Sequence, residues 1–252
     1  MPSKEATLRL AVVLLVLFSP LLPSSGVIQT SAMAVDSSEE GACPGGYVAL
    51  TFDDGPNLDT TLAITHELRA RHDRGTFFLI GNLAAQHPEI VERIRVAGME
   101  VGNHTLDHPF LDQLDASQVR DELAKTSNII TGLAGPAPTL FRPPYGRTND
   151  IIRAIANQMH MAEVLWTYDS DDYAEATVPQ MLAQGAKAKN GDILLFHDGY
   201  QSTVDALPKI LDNFSSRGIC SGRIVPTKVR QQAWLDYTGD DRTYYYAKAA
   251  RW

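Results

Sequence analysis

Short runs of apolar, aromatic and β-branched residues alternate with helical patterns through most of this 252-residue chain, which limits what it can fold into. The run 47–52 precedes a helical repeat over 60–71, and the aromatic run 76–80 precedes a helix predicted over 88–97. Strands are further predicted at 100–103, 139–141, 164–168 and 193–196, and helices at 117–132, 149–160, 178–188 and 203–217. Six or seven such units in series predict a parallel sheet that closes, or nearly closes, into a barrel, with an open doubly wound sheet as the alternative.

Five polar motifs stand at the ends of the predicted strands: Thr51–Pro56, His104–His108, Arg142–Gly146, Asp169–Tyr173 and Leu194–Asp198. In parallel α/β folds the carboxyl ends of the strands share one edge, and that edge carries the chemistry. We therefore expect the five motifs to come together in one site.

Two histidines beside an aspartate pair are the strongest candidates for metal ligands. His104 and His108 are four positions apart, which on a helical or tight-turn segment places both imidazoles on one side. With Asp54 they make a two-histidine, one-carboxylate set that suits Zn²⁺ best, with Co²⁺, Fe²⁺ or Ni²⁺ as alternatives. Asp53 would then face the substrate, although a purely structural turn explains an isolated Asp-Asp-Gly-Pro equally well.

The motif at 142–146 combines an arginine with a stiff backbone. Two prolines fix the chain and Gly146 frees it, which is a way of aiming a single main-chain N–H, here that of Tyr145. Arg142 beside a carboxylate would favour the ionised form of that group. The alternative is a rigid loop that carries a surface arginine.

His197 ends an apolar strand and has two interpretations. It is either a packed core residue or, beside a carboxylate, an imidazole held protonated as a general acid. Asp172 is the candidate partner, with Asp169 and Asp171 as rivals that the sequence does not separate.

Residues 1–34 have the pattern of a removable secretory leader. An apolar run at 10–18, too short to span a bilayer, is followed by a small-residue site at 32–34. We expect a secreted, extracellular protein of bacterial-type export, with a linker over 35–44; an uncleaved membrane anchor is the alternative.

The charge of the mature chain restricts its partners. Beyond residue 34 there are 20 basic and 29 acidic residues, a net charge of −9. An acidic protein of this kind is not expected to bind nucleic acid or an anionic membrane. We expect a monomer without stable membrane association once the leader is removed, acting on a neutral or cationic polymer.

Cys43 and Cys220 are the two cysteines of the chain. In an exported protein they predict one disulfide, with two buried free thiols as the alternative.

Residues 223–252 show no clear period and are interpreted as a C-terminal extension that lies on the barrel or is partly disordered. The alternative is sugar stacking on the tyrosines at 244–246 and on Trp252.

The five motifs, in this order, resemble those of the polysaccharide deacetylase domain of carbohydrate esterase family four. The resemblance runs from about Gly46 to Gly222, so a catalytic domain is predicted over 45–222. The chain ends, with Gly46–Leu50 after Cys43 and Gly218–Gly222 around the second cysteine, are also similar to secreted bacterial acetylxylan esterases, which strengthens the disulfide prediction. The resemblance implies a single-domain, distorted (β/α)₇ TIM-like barrel.

The resemblance also implies roles for the metal side of the site. Asp54, His104 and His108 would hold the cation. Asp53 would be the general base that takes a proton from the attacking water, and Arg142 would orient Asp53.

The remaining roles implied by the resemblance concern the leaving group and the acyl pocket. His197 would protonate the departing amine or alcohol, and Asp172 would tune His197. The N–H of Tyr145 would help to stabilise the oxyanion. Leu195 would line the pocket for the acetyl methyl. Tyr173 stands where many family members have tryptophan, so the wall of that pocket is expected to differ from theirs.

Three functions follow as hypotheses. The first is a metal-dependent hydrolase that removes acetyl groups from N-acetylglucosamine units of chitin-type oligomers or peptidoglycan and releases acetate. The second is an O-acetyl esterase that acts on acetylated xylan with the same site. The third, a non-catalytic carbohydrate-binding module, needs no base–acid pair.

Overall fold

The computed structural model describes residues 43–228 and 245–250, with side chains over 43–225 apart from Ala134. The predicted leader 1–34, the linker as far as residue 42, Tyr244 and Trp252 lie outside these ranges. Within the described ranges, none of the helices has the length and apolar character needed to cross a membrane.

A parallel sheet organises the described chain. Its strands are β1 Gly46–Gly55, β2 Thr76–Leu79, β3 Glu100–Asn103, β4 Leu140–Phe141, β5 Ala162–Glu163, β6 Tyr168–Asp169, β7 Ile193–His197 and β8 Ile219–Ser221. The helices are α1 Thr60–Ala70, α2 Gly81–Gln86, α3 Pro88–Val96, α4 Ala116–Ala134, α5 Asp150–Gln158, α6 Val178–Gly185 and α7 Gln201–Ser216.

The strand order identifies the topology. It runs β5-β4-β3-β2-β1-β7-β6, and β8 pairs with the first residues of β1. This order is cyclic, with the last strands returning beside the first, whereas a doubly wound sheet reverses in its middle. The fold is therefore a (β/α)₇-like half barrel in a single domain, as predicted, and the doubly wound alternative is wrong.

Successive side chains of β1 point to opposite faces of the sheet, and each face packs against its own apolar layer. Val48, Leu50 and Phe52 are fully buried in a cluster that includes side chains of the surrounding helices. The Phe52 ring stacks between neighbouring strands on Phe77 at 5.0 Å and Phe196 at 5.7 Å. Truncating such a ring costs about 3–5 kcal/mol, so this layer fixes the strands that carry the motifs.

The opposite face of β1 points into the barrel. Ala49 belongs to an interior cluster that also contains Phe78, Leu140 and Ile193. Two further strands, β9 Arg223–Lys228 and β10 Tyr245–Ala250, form an antiparallel pair, and Ile224 of β9 is buried in the same cluster. Part of the predicted extension is therefore regular and adds an apolar side chain to the core.

A disulfide joins Cys43, just before β1, to Cys220 in β8, with Cα atoms 5.7 Å apart. The prediction of one bridge is thus confirmed, and the free-thiol alternative is wrong.

The strand predicted over 164–168 is wrong in its first four residues, because β6 is only Tyr168–Asp169. The physical reason is Arg142. Its Nε and Nη2 donate to the carbonyl oxygens of Val164 and Leu165, each at 3.2 Å, and those carbonyls are then not used in sheet pairing.

Helix ends depend on capping groups that periodicity does not reveal. Helix α4 starts one residue earlier and ends two residues later than predicted. At its start the Asp115 carboxylate accepts hydrogen bonds from the backbone N–H groups of Ser117 and Gln118. The short helix α2 is absent from the predicted series.

Candidate active site

A bulge at the end of β1 brings two neighbouring carboxylates into one site. Adjacent residues of a regular strand face opposite sides, but the register of β1 against β2 shifts between Asp53 and Gly55. Asp54 has a φ of 69°, in the left-handed region. As a result, Nε2 of His104 lies 3.7 Å from Asp53 Oδ2 and 3.3 Å from Asp54 Oδ1.

The predicted metal ligands converge. Oδ1 of Asp54 lies 3.3 Å from Nε2 of His104 and 3.2 Å from Nε2 of His108, and one donor atom from each residue falls within 4.8 Å of the others. The segment between the histidines is an irregular loop and not a helix, with φ values of 68° at Thr105 and 58° at His108. The four-residue spacing thus brings the imidazoles together through a left-handed turn.

The chemistry of these three side chains fits a divalent cation. Oδ1 of Asp54 is buried and accepts no hydrogen bond. Nδ1 of His104 lies 2.8 Å from the carbonyl oxygen of Arg142, to which it donates when Nε2 carries the lone pair. Burial lowers the pKa of His108 and nearby His104 lowers it further, although Asp54 and Asp53 oppose them; the shift favours the neutral imidazole that binds metals. Two nitrogen donors and one carboxylate suit Zn²⁺ and related transition metals.

Arg142 is a buried structural cation and not a surface residue. Its side chain is fully enclosed, and Nη1 donates to Asp53 Oδ1 and to Thr51 Oγ1, both at 2.8 Å. Burial lowers the pKa of Arg142, while the charge and hydrogen bond of Asp53 raise it. With its other nitrogens bound to two carbonyls, Arg142 is held in place and fixes the orientation of Asp53.

The structure selects Asp172 as the partner of His197. Oδ1 of Asp172 lies 2.7 Å from Nδ1 of the imidazole, and Oδ2 accepts from the backbone N–H of His197 at 2.7 Å. The pKa of Asp172 is lowered: burial alone would raise it, but hydrogen bonds from His197 and Thr203 outweigh burial. Burial likewise would lower the pKa of His197, but Asp172 and the charge of Asp53 raise it overall.

The two rivals of Asp172 make other contacts. Asp169 lines the cavity, and its Oδ1 accepts from the N–H of Asp171 at 2.9 Å. Asp171 has a φ of 56°, and Gln184 reaches its Oδ2 at 3.5 Å. Neither is paired with His197 by the hydrogen bonds described.

The Arg142–Gly146 motif forms a short 3₁₀ turn over Pro144–Gly146. Tyr145 has a φ of 61° and Gly146 a φ of 65°. A Cβ at Gly146 would stand 2.9 Å from the Trp166 ring, so both conformation and space favour glycine at this position. Tyr145 is therefore held at the cavity by a left-handed backbone conformation that residues other than glycine rarely adopt.

A cavity of about 480 Å³ opens on the aspartates and histidines of the site. Its wall also includes Tyr145, Trp166, Asp169, Tyr173, Leu195 and Tyr200. The resemblance predicts Leu195 and Tyr173 at this wall, whereas the five motifs include neither Trp166 nor Tyr200. The strand wrongly predicted over 164–168 concealed Trp166, and Tyr200 lies just beyond the last motif.

Asp198 is a further residue whose role the sequence does not reveal. It is buried and accepts hydrogen bonds from the hydroxyls of Thr60 and Thr61 in α1, while its N–H donates to the carbonyl of Asp53 at 2.7 Å. Burial raises the pKa of Asp198, and the two threonine hydroxyls oppose the shift. Asp198 thereby ties the segment after β7 to the segment that carries Asp53 and Asp54.

Comparison with known proteins assigns the chain to a family. The sequence profile of the family described as polysaccharide deacetylase matches residues 40–164. A peptidoglycan-N-acetylglucosamine deacetylase of Bacillus cereus is 33% identical over 177 residues, covering 68% of this chain and 83% of that protein. The chain belongs to the polysaccharide deacetylase family. It is thus a member of a family of hydrolases, as predicted.

Further proteins are similar to this chain in fold or in sequence. A family 4 carbohydrate esterase from Streptomyces lividans, solved in complex with acetate, has 35% sequence identity and a TM-score of 0.71 over 82% of this chain and 98% of that one. A bifunctional xylanase/xylan deacetylase of Cellvibrio japonicus is 36% identical over 189 residues, or 75% of this chain. The chain spans 28% to 64% of the length of three of the curated relatives it matches.

Proposed function

We propose that this protein is a secreted, metal-dependent polysaccharide deacetylase. It hydrolyses the acetyl groups of N-acetylglucosamine units in chitin-type oligomers or peptidoglycan, and the products are acetate and a free amine. The observation that carries the proposal is the placement of a base and an acid beside one candidate metal site. Asp53 and His197 are direct register partners on the paired strands β1 and β7, so both side chains leave the sheet on the same face.

The base side of the reaction uses Asp53. One of its oxygens is bound to Arg142, and the other faces His104 and accepts the proton of the attacking water. Asp54, His104 and His108 hold the cation, proposed as Zn²⁺. When bound, the cation supplies Lewis-acid activation of water and of the acetyl carbonyl.

The acid side uses His197. Asp172 occupies Nδ1 and raises the pKa of the imidazole against the effect of burial, so a proton is available at Nε2 for the departing amine. The backbone N–H of Tyr145 stabilises the oxyanion. Leu195 contributes apolar surface to the cavity wall and receives the acetyl methyl, with Tyr173 beside it.

A substrate panel tests the proposal. Acetate release is measured from chitooligosaccharides, peptidoglycan fragments and acetylated xylan, before and after removal of metal with a chelator. We expect the N-acetylated glycans to be preferred and activity to return when Zn²⁺ is restored. Failure of every substrate, with metal bound, would refute the deacetylase assignment.

Two variants separate the roles within the site. Asp53→Asn should lower turnover by at least about 1,000-fold while retaining the metal, because the base is lost and the three proposed ligands stay. It also removes the counter-charge of buried Arg142, so urea unfolding checks that the variant is folded at the assay temperature. His104→Ala should lose the metal itself, which elemental analysis measures. Unchanged metal content in His104→Ala would remove this residue from the ligand set.

An O-acetyl esterase acting on xylan is the second candidate, favoured by the similarity to the Cellvibrio xylan deacetylase. The same residues serve both reactions, so a large excess of xylan activity in the panel would replace the first candidate by the second. A non-catalytic carbohydrate-binding module is disfavoured because the Asp53–Arg142 and His197–Asp172 pairs are both intact.

The location and partners belong to the same proposal. The disulfide between Cys43 and Cys220 supports an oxidising compartment, and the net charge of the chain supports a soluble protein that acts on an acetylated polysaccharide. We expect a monomer, which light scattering measures. The protein should appear in the culture medium of an exporting host with the leader 1–34 removed.

A further inference from the structure

We propose that Phe110 is a positioning residue for the metal site: with Arg147 and Asp112 behind it, Phe110 holds the Tyr145 ring against the imidazole of His108. The inference rests on the metal site of the proposed function. It concerns a residue outside the metal ligands and outside the wall of the cavity.

The two histidine ligands are held in different ways. His104 is almost fully buried, and the carbonyl of Arg142 fixes its Nδ1. For His108, the described residues supply no hydrogen bond to Nδ1. Its backbone N–H donates to Thr105 Oγ1, but its ring is located by packing. Metal-binding histidines generally need such an outer partner to fix the orientation of the ring.

The ring contacts of His108 are aromatic. The Tyr145 ring meets it edge-on, with centroids 4.6 Å apart and an angle of 64° between the planes. The His104 ring lies at 4.8 Å. Tyr145 is 55% exposed, so the protein interior does not hold its side chain on every side.

Phe110 supplies the missing support for Tyr145. The two rings stack with centroids 4.2 Å apart and an angle of 26°. The guanidinium of Arg147 lies 4.9 Å from the centre of the Phe110 ring, within the range of a cation–π interaction. The guanidinium is held in turn by two hydrogen bonds to Asp112 Oδ2, at 2.9 Å and 2.6 Å.

These contacts form one continuous row from Asp112 through Arg147, Phe110 and Tyr145 to His108. The row starts in a 3₁₀ turn over Leu111–Gln113, whose first residue is fully buried and anchors it. It connects the loop that carries the second metal ligand to the loop that carries Tyr145. Removing the Phe110 ring should therefore allow the Tyr145 and His108 rings to move, which weakens metal binding.

The size of the effect follows from the contacts. Removing an outer partner of a metal ligand typically weakens metal affinity or activity by about 10- to 100-fold. Phe110 acts on His108 through the Tyr145 ring, and by stacking and not by a hydrogen bond, so we expect the lower end of this range, about tenfold, for Phe110→Ala. Phe110 is 39% exposed, so the truncation leaves no buried cavity.

The test compares Phe110→Ala with Phe110→Tyr and with Ile151→Ala, a control that truncates an exposed apolar side chain on α5. The Zn²⁺ dissociation constant is measured by competition with a chromophoric chelator. The absorption spectrum of the Co²⁺-loaded protein reports ligand geometry, and urea unfolding of the metal-free protein reports stability.

We expect Phe110→Ala to bind Zn²⁺ about tenfold more weakly and to change the Co²⁺ spectrum, with the unfolding midpoint of the metal-free protein unchanged. Phe110→Tyr should keep the wild-type Zn²⁺ affinity and Co²⁺ spectrum, and Ile151→Ala should match the wild type. A Zn²⁺ affinity within twofold of the wild type for Phe110→Ala, with an unaltered Co²⁺ spectrum, overturns the positioning role and leaves the proposed function standing. A wild-type protein that binds neither ion overturns both.

Discussion

Replacing Asp172 by asparagine tests whether the pair with His197 is built around a carboxylate that only accepts hydrogen bonds. Oδ1 accepts from Nδ1 of His197 at 2.7 Å and from the backbone N–H of Tyr173 at 2.9 Å. Oδ2 accepts from the backbone N–H of His197 at 2.7 Å and from the Thr203 hydroxyl at 2.5 Å. An asparagine has one acceptor and one NH₂ group, so in either orientation its nitrogen faces a backbone N–H that cannot turn away.

The magnitude follows from what this substitution removes. A hydrogen bond to a charged group contributes about 1.5–3 kcal/mol, and a buried donor left unsatisfied costs about 1–3 kcal/mol. The Asp172 side chain is fully buried, and that of His197 is 14% exposed, so solvent screens the pair little. We expect Asp172→Asn to lower the free energy of unfolding by about 3–5 kcal/mol, the range found when one partner of a buried ion pair is removed.

The loss should depend on pH in a defined direction. The folded pKa of His197 is raised, so its contribution is complete below the ordinary value of 6.5 and is lost as the pH rises through the folded pKa. The folded pKa of Asp172 is lowered, so its contribution is complete above the ordinary value of 3.8 and is lost as the pH falls through the folded pKa. The difference between wild type and variant should therefore be largest between these two ordinary values and smaller outside them.

The pH dependence of activity should also change in Asp172→Asn. With the carboxylate gone, burial lowers the pKa of His197, so the alkaline limb of the kcat/KM profile should move to lower pH. The measurements are urea unfolding across the pH range and the pH profile of acetate release.

Asp171→Asn is the matched control, because asparagine tolerates the left-handed backbone of that residue and the charge change is the same. It should change stability by less than about 0.5 kcal/mol. A loss below about 1 kcal/mol for Asp172→Asn, or one equal to the control, would refute the acceptor-only reasoning.

Three further predictions follow from other parts of the structure. Replacing Cys43 and Cys220 together by serine opens a loop that spans 177 positions and should lower the free energy of unfolding by about 5 kcal/mol in urea titrations; a loss under about 2 kcal/mol would contradict the entropic estimate. Arg142→Lys cannot reproduce the branched set of donor bonds, so kcat/KM should fall by about 100-fold through misplacement of Asp53, with metal content retained; near wild-type turnover would contradict this. Gly146→Ala places a Cβ 2.9 Å from the Trp166 ring at a φ of 65° and should cost about 1–3 kcal/mol in thermal unfolding; an unchanged midpoint would contradict this.

The break of the predicted strand over 164–168 shows why local pattern was insufficient. Val164 and its neighbours are apolar and fit a strand by composition. The guanidinium that binds the Val164 and Leu165 carbonyls belongs to Arg142, 22 positions earlier in the chain for the first of these bonds. A local window contains no sign of this contact.

The partner of His197 shows the same limit at the scale of single residues. The sequence names Asp172 as the candidate partner, but its spacing does not separate this residue from Asp169 and Asp171. Only Asp172 starts the 3₁₀ turn over Asp172–Ala174, and only its carboxylate reaches both the ring and the backbone of His197. The sequence gives no sign of Phe110, or of the contacts that Asp198 makes at the end of the fifth motif, for a related reason: the neighbours of each are distant in sequence.

Local sequence was enough to predict most of the strands and helices, the edge of the sheet at which the motifs meet, and the three candidate metal ligands. Those features depend on residue types and periodicities within short segments, and burial of apolar faces makes such patterns obligatory. Four features depend on the folded chain: the left-handed bulge at Asp54, the burial of Arg142, the exclusion of the two rivals of Asp172, and the aromatic contacts of His108. Each of these depends on which strands become neighbours in the barrel, and that adjacency is created only when the whole chain folds.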